Sequence, residues 1–182
     1  MERPSGSAPA LPPVERSIRN HAFAASLLQE LQRGGVAHVC ICPGSRSAPL
    51  AVAALATPEL AHSVHVDERS AAFFALGFAK ASGRPAALVC TSGSAPAHFL
   101  PALVEAHLAK VPLVVLSADR PPELRDWGAP QTTDQGHLYG SHVRWFAEVP
   151  PPGAGVEALR YARPWAPGPS QRPRVRHRDP ST

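Results

Sequence analysis

Residues 61–82 read AHSVHVDERSAAFFALGFAKAS, and within this stretch a strand-like pattern passes directly into a helical one. The pattern predicts a strand over Ala61–Val66 and a helix over about Ser70–Ala81. Glu68 falls between them, and a carboxylate at the carboxyl end of a strand lies at the rim of an α/β sheet, where such sheets bind ligands. The alternative is that Asp67 and Glu68 only complement the positive end of the helix dipole.

The same alternation of strand and helix extends along most of the chain. The strands read as near-continuous apolar runs, which is typical of a parallel sheet covered on both faces. We therefore predict an α/β fold, a doubly wound parallel sheet with helices on both faces. The other predicted elements are the strands Val36–Ile41, Ala86–Thr91 and Val111–Ser117, and the helices Asn20–Arg33 with Asn20 as N-cap, Ala48–Ala56, and one from the turn Ser92–Ala95 to Ala109. His142–Val149 is compatible with a strand or an edge segment.

Polar residues collect where the predicted strands end. These clusters are Pro43–Arg46, Asp67–Arg69, Thr91–Gly93 and Asp119–Arg120. Because the carboxyl ends of parallel strands meet at one edge of a sheet, the four clusters should converge on a single rim. The sequence therefore predicts a ligand site at that rim.

The chain has 182 residues, of which 44% are hydrophobic, and this is enough for one domain with its own core. We expect a flexible N-terminus at residues 1–17, a globular domain at 18–150, and a linker followed by a Pro- and Arg-rich, disordered tail at 151–182. Within the last segment, Gly155–Arg163 has the composition of a short helix, whereas the residues from Pro164 onwards contain too few apolar side chains to fold.

The net charge of +4 is concentrated at one end of the chain. Residues 164–182 contain four arginines and one aspartate, a net charge of +3, so the other 163 residues carry +1. The globular part is nearly neutral, and we predict no nucleic-acid partner. No apolar run reaches the roughly 18 residues of a membrane span, so no membrane association is expected. Because Met1–Pro13 lacks the pattern of a signal peptide, a cytoplasmic location is expected.

The cysteines and histidines do not form a recognisable metal or disulfide pattern. Cys40, Cys42 and Cys90 lie in apolar strand-like runs, and we expect them to be buried reduced thiols. His62 and His65 are three apart on the predicted strand and therefore on opposite faces, which excludes a simple two-histidine clamp. We predict no metal ligands in this chain.

Four segments together resemble a known enzyme family. They are CPGSRSAPL (42–50), HVDERSAAFFALGFAKAS (65–82), LVCTSG (88–93) and LSADRPPELRDWGAPQTTDQ (116–135). In this order they strongly resemble the N-terminal domain of the 2-succinyl-5-enolpyruvyl-6-hydroxy-3-cyclohexene-1-carboxylate synthases, the thiamine-diphosphate-dependent enzymes of menaquinone biosynthesis. The resemblance covers about residues 18–150.

The resemblance implies a domain that holds the aminopyrimidine ring of thiamine diphosphate. Glu68 would be the catalytic carboxyl group that shares a proton with a ring nitrogen. The residues implied in cofactor binding are Pro43, Glu68, Ser92 and Gly93, and those implied in substrate binding are Ser45, Arg46, Arg120 and Gln131. Arginine suits the substrates, 2-oxoglutarate and isochorismate, because its planar fork matches a carboxylate.

The resemblance also implies parts that these segments do not contain. The Mg2+ ligands are expected in the family's diphosphate-binding domain, and the cofactor is expected between two subunits of a homo-oligomer. The helix at residues 71–81, apolar nearly all round, is a candidate interface. We therefore expect a truncated or split transferase that lacks synthase activity by itself.

Alternatives to this interpretation remain open. One is another thiamine-diphosphate decarboxylase or synthase, and another is a ligand-binding or regulatory remnant without catalysis. The segment TSGSAPAHF departs from the commoner family form, which resembles TSGTAAANF, at Pro96 and His98.

Overall fold

The computed structural model describes residues 12–149. The expected linker and tail at residues 151–182, including the predicted short helix 155–163, lie outside the described residues, as does the N-terminus up to residue 11.

Helices and strands alternate along the described chain. The strands are β1 (His38–Ile41), β2 (Ala61–Val64), β3 (Ala86–Cys90) and β4 (Leu113–Ser117), and the helices are α1 (Pro13–Arg33), α2 (Ala48–Leu55), α3 (Glu68–Ser82) and α4 (Leu100–Ala109). Short 3-10 segments lie at Ala95–Phe99, Pro122–Leu124 and Gly140–His142.

The four strands form one sheet in the order β2-β1-β3-β4, and every neighbouring pair is parallel. Helices α1 and α2 pack on one face, and α3 and α4 pack on the other. The predicted fold class, a doubly wound parallel sheet with helices on both faces, is confirmed.

Alternate residues of the central strands supply two separate cores, because successive side chains of a strand point to opposite faces. Val39 and Ile41 pack with Leu28 of α1 on one face. Cys40 packs on the other face with Phe99 and the buried alanines of α3. The small alanines let α3 lie close to the sheet, and this places the first residue of the helix at the rim.

The predicted start of the first helix at Asn20 is wrong, and of the two alternatives for His142–Val149 the strand does not form. Helix α1 begins at Pro13, where proline suits the first turn, so Asn20 lies inside the helix and does not cap it. Residues 13–17 are therefore helical. No strand forms over His142–Val149, since a 3-10 turn ends at His142 and irregular backbone follows to residue 149.

Helix α3 leaves two large aromatic side chains in solvent. Phe73 is 43% exposed and Phe74 is 47% exposed, whereas Ala71, Ala72 and Ala75 on the opposite side are buried. No helix in the part of the chain that the structure describes is long and apolar enough to cross a membrane.

Candidate functional site

A groove of about 620 Å³ opens at the carboxyl ends of the strands. Its walls are Pro43 after β1, Glu68 at the start of α3, residues 91–95 after β3, His98, and residues 131–133 from the loop that follows β4. The strand-end clusters after β1, β2 and β3 therefore meet at one rim as the sequence predicted, together with the loop from which the family resemblance named Gln131.

Glu68 and Asp67 take different roles at the N-terminus of α3. The Asp67 carboxylate accepts a hydrogen bond from the Ser70 amide at 2.7 Å and caps the helix, and this bond lowers the pKa of Asp67. Glu68, the first helical residue, borders the groove. Within residues 12–149 its carboxylate has no hydrogen-bond partner. Asp67 therefore serves the helix terminus, and the Glu68 carboxylate stays unpaired among the described residues.

The strand ends β1 and β3 approach each other closely below the groove. A Cβ built on Gly44 would lie 2.9 Å from Oγ1 and 3.0 Å from Cγ2 of Thr91, and closer still to the Thr91 Cβ. Thr91 Oγ1 is buried and has no hydrogen-bond partner among the described residues. Thr91 lines the groove, but its hydroxyl oxygen is enclosed and lies against Gly44.

A hydrogen-bonded clasp joins three of the predicted site residues. Arg46 Nη1 donates to Ser92 Oγ at 3.0 Å and to Gln131 Oε1 at 2.7 Å. Ser92 Oγ in turn donates to the backbone carbonyl of Gln131 at 2.8 Å. Ser92 is 2% exposed, so its hydroxyl is enclosed by these two partners. We call these residues the Arg46–Ser92–Gln131 clasp.

The backbone at Gln131 is fixed from several sides. Arg120 donates from Nε at 3.3 Å and from Nη2 at 2.9 Å to the carbonyl of Pro130. Thr133 Oγ1 donates to the carbonyl of Gly93 at 3.0 Å. Gln131 itself has a φ of 53°, in the left-handed region that few non-glycine residues adopt. These contacts fix the position of the loop at the rim. They also occupy the Nε–Nη2 edge of Arg120, with which an arginine binds a carboxylate, because both atoms donate to the Pro130 carbonyl.

The predicted site residues divide into three groups. Pro43, Glu68, Ser92, Gly93 and Gln131 line the groove. Arg46 reaches two of these residues through the clasp, although it is not part of the groove wall. Ser45 is exposed beside the rim, and Arg120 anchors the loop outside the groove.

Sequence reasoning missed several groove residues. Thr132 and Thr133 lie in an irregular loop without any periodic signal, so only the fold brings them to the rim. His98 lines the groove close enough to Asp67 to contribute, as a minor cause, to the lowered pKa of that carboxyl group. The sequence did draw attention to this residue, because His98 is one of the two positions that depart from the commoner family form.

A second polar cluster lies at the β2 edge of the sheet. Nε2 of His38 and Nε2 of His65 each lie 2.8 Å from Ser63 Oγ. Burial, and then the neighbouring His65 and His62, lower the pKa of His38. Among residues 12–149 no group of three or more His, Cys, Asp or Glu side chains has an arrangement that could hold a metal ion.

The three cysteines are free and buried, as predicted. Burial raises the pKa of Cys40 to about 11 and that of Cys42 to about 12, and it raises the pKa of Cys90 as well. At neutral pH these thiols are protonated, and they pack as small apolar side chains beneath the rim.

Comparisons with known proteins identify the family of this chain. The family model described as "Thiamine pyrophosphate enzyme, N-terminal TPP binding domain" matches residues 21–138. The chain is 57% identical over 144 residues to the 2-succinyl-5-enolpyruvyl-6-hydroxy-3-cyclohexene-1-carboxylate synthase of Geobacillus kaustophilus (strain HTA426), a match that covers 79% of this chain and 25% of the relative.

Synthases of the same name in two other bacteria are similarly close. The identity is 59% over 130 residues for Chloroflexus aurantiacus (strain ATCC 29366 / DSM 635 / J-10-fl), covering 71% of this chain and 22% of the relative. The identity is 55% over 144 residues for Myxococcus xanthus (strain DK1622), and this match covers 79% of this chain and 24% of the relative. The chain spans about a quarter of the length of these curated relatives.

Proposed function

The chain belongs to the family of thiamine pyrophosphate enzymes with an N-terminal TPP binding domain, and on this premise we propose that residues 18–150 bind the aminopyrimidine end of thiamine diphosphate. The activity that we propose for the enzyme is joining decarboxylated 2-oxoglutarate to isochorismate in menaquinone biosynthesis. The names of the relatives that are 55–59% identical to this chain support that activity. The observation that carries the proposal is the unpaired Glu68 carboxylate at the rim groove.

The groove has the volume and polarity that a pyrimidine ring requires. About 620 Å³ is ample for a six-membered ring with its substituents. The Glu68 carboxylate, unpaired among the described residues, offers a polar contact on its wall. The residues that would hold the ring are Pro43, Glu68, Ser92 and Gly93. When bound, thiamine diphosphate supplies the electron sink that allows a 2-oxo acid to lose carbon dioxide.

Glu68 would act as the proton-sharing group. Its carboxyl oxygen can hold a proton against a ring nitrogen or release it, and capping by Asp67 leaves both oxygens available for this exchange. Because Glu68 is the first residue of α3, the alanine-lined packing of that helix on the sheet fixes its backbone position. A rigid support of this kind is what general acid–base chemistry needs.

The substrates carry several carboxylates, and the rim offers cationic and polar groups to receive them. We assign Ser45, Arg46, Arg120 and Gln131 to substrate binding. Arg46 is the best placed, because its Nε and Nη2 atoms have no hydrogen-bond partner within residues 12–149. These two atoms form the side-on edge of the guanidinium that binds a carboxylate through two parallel bonds.

Mg2+ and the second subunit belong to the same proposal. In an enzyme of the relatives' length, we place the Mg2+ ligands outside the region that corresponds to residues 12–149. We also propose a homo-oligomer in which the cofactor lies between subunits. The exposed rings of Phe73 and Phe74, on the same helix as Glu68, support an interface close to the groove.

A chimeric enzyme tests the proposed activity. The 144 matching residues of the Geobacillus kaustophilus synthase would be replaced by those of this chain, and product formation from 2-oxoglutarate and isochorismate would be measured with thiamine diphosphate and Mg2+. We expect turnover. A chimera that folds and binds the cofactor but forms no product would overturn the proposed activity.

Glu68→Gln in the chimera tests the residue that carries the proposal. The amide keeps the size of the side chain but cannot exchange the proton, so kcat should fall by about 10²–10⁴-fold while the Kd for the cofactor changes less. Glu59→Gln is the matched control, because Glu59 is an exposed carboxylate in the turn before β2. Equal rates for the two variants would remove Glu68 from this role.

A further inference from the structure

Arg46 has its carboxylate-binding edge open because one nitrogen carries both of its internal bonds. Nη1 donates to Ser92 and to Gln131, and the opposite edge, made by Nε and Nη2, has no hydrogen-bond partner in residues 12–149. Arg120 differs, since its Nε and Nη2 both donate to the Pro130 carbonyl. Of these two arginines, Arg46 is therefore the one whose side-on edge could bind a carboxylate without first breaking a protein hydrogen bond.

The orientation of this edge depends on Ser92. An arginine side chain loses rotamer entropy when it is held in one position, so the cost is lower at binding if the protein already holds it. The Ser92 hydroxyl accepts from Arg46 and donates to the Gln131 carbonyl, so one buried group ties the guanidinium to the backbone that carries its second partner. Gly93 supports the arrangement, because a Cβ at that position would lie 3.1 Å from the Gln131 Cα.

We propose that Ser92 is a positioning residue that holds the Nε–Nη2 edge of Arg46 ready for a substrate carboxylate. This inference rests on the proposed function for the identity of the substrate, and on the contacts of the clasp for the mechanism. Ser92 itself does not touch the substrate in this proposal, since its hydroxyl is enclosed between Arg46 and Gln131. Its effect on binding passes through the Arg46 guanidinium.

The first experiment measures the mobility of Arg46 in the 182-residue chain without any ligand. The heteronuclear 15N NOE of Arg46 Nε reports motion on the ps–ns timescale. We expect a high value in the wild type, a clear loss in Ser92→Ala and recovery in Ser92→Thr, which keeps the hydroxyl. Ser26→Ala is the control, since Ser26 also donates to a backbone carbonyl but lies on α1. An unchanged NOE in Ser92→Ala would overturn the proposal.

A second variant covers the case in which Ser92→Ala does not fold. Gln131 is exposed and has a left-handed backbone that asparagine tolerates. Gln131→Asn shortens the side chain and removes the Oε1 contact with Arg46, while the backbone carbonyl still accepts from Ser92. We expect a partial loss of the Arg46 NOE. No change would show that the clasp does not restrain the guanidinium.

The second experiment separates positioning from folding in the chimera described above. Measured at saturating thiamine diphosphate, Ser92→Ala should raise the KM for isochorismate about tenfold, because the guanidinium must be ordered at each binding event, and Ser92→Thr should restore it. A purely structural role would instead lower the active fraction, and with it kcat, at an unchanged KM. The NOE requires no activity, so failure of the clasp and failure of the proposed function give different results.

Discussion

Gly44→Ala adds one methyl group at the point where β1 and β3 come closest, and we expect it to destabilise the domain. The new Cβ would lie within 3.0 Å of two side-chain atoms of Thr91, and closer still to its Cβ. Carbon atoms pack optimally at about 3.5–4.0 Å, so one strand end must move by about 1 Å. Overpacking of this kind costs about 1–3 kcal/mol, and for a chain of this length about 2 kcal/mol lowers the Tm by about 4–8 °C.

Gly77→Ala is the matched control for this prediction. Gly77 lies in α3 with no atom within 4 Å of an added Cβ, so alanine should stabilise the helix by about 0.5–1 kcal/mol. Urea denaturation of the 182-residue chain measures both changes. In a Thr91→Gly background, which removes the facing Cβ, Gly44→Ala should cost about 1 kcal/mol less. The reasoning fails if Gly44→Ala behaves like Gly77→Ala, or if its cost is the same in both backgrounds.

Three further results are expected from the same chain. Burial and neighbouring histidines lower the pKa of His38, so the unfolded state takes up a proton there first, and the free energy of unfolding should fall as the pH drops below about 6.5. In urea titrations at several pH values, His38→Asn should show a smaller fall than the wild type. The same dependence on pH in both proteins would contradict the role of His38. With pKa values of about 11 and 12, Cys40 and Cys42 are thiolates to no more than about a thousandth at pH 8. They should resist iodoacetamide until urea unfolds the chain, and rapid labelling in the folded state would contradict their burial. Asn20→Ala should stabilise α1 by about half a kcal/mol, because Asn20 lies inside the helix; a loss of about 1 kcal/mol would restore its role as a cap.

Local patterns in the sequence predicted most of the fold. Apolar runs and turn residues identified every strand of the sheet and the fold class, because hydrophobic periodicity depends on near neighbours. The start of α1 was predicted wrongly because the prediction used only the residues next to Asn20. Asn20 is a good local cap, but Pro13 offers an earlier start and the chain continues as a helix through the asparagine.

The candidate site could be predicted only in part. Glu68 and the strand-end clusters follow from the rule that parallel strands share one edge. The clasp does not follow from it, since Arg46 and Ser92 are 46 residues apart and Ser92 and Gln131 are 39 apart. The histidine cluster was missed because the spacing of His62 and His65 concerns one strand only, whereas His65 meets His38 of the neighbouring strand through Ser63.

The position of β1 between β2 and β3 has a consequence for the nascent chain. β2 is complete at residue 64, whereas β3 ends at residue 90, so 90 − 64 = 26 further residues must be translated before the second side of β1 can pair. At roughly 5–20 residues per second this takes about 1–5 s. Throughout that interval β1 presents unpaired amides and carbonyls along one side, which is a template for association with another chain. The centre of the finished sheet thus begins as an open edge at the ribosome, and the rate of translation between residues 64 and 90 sets how long it stays open.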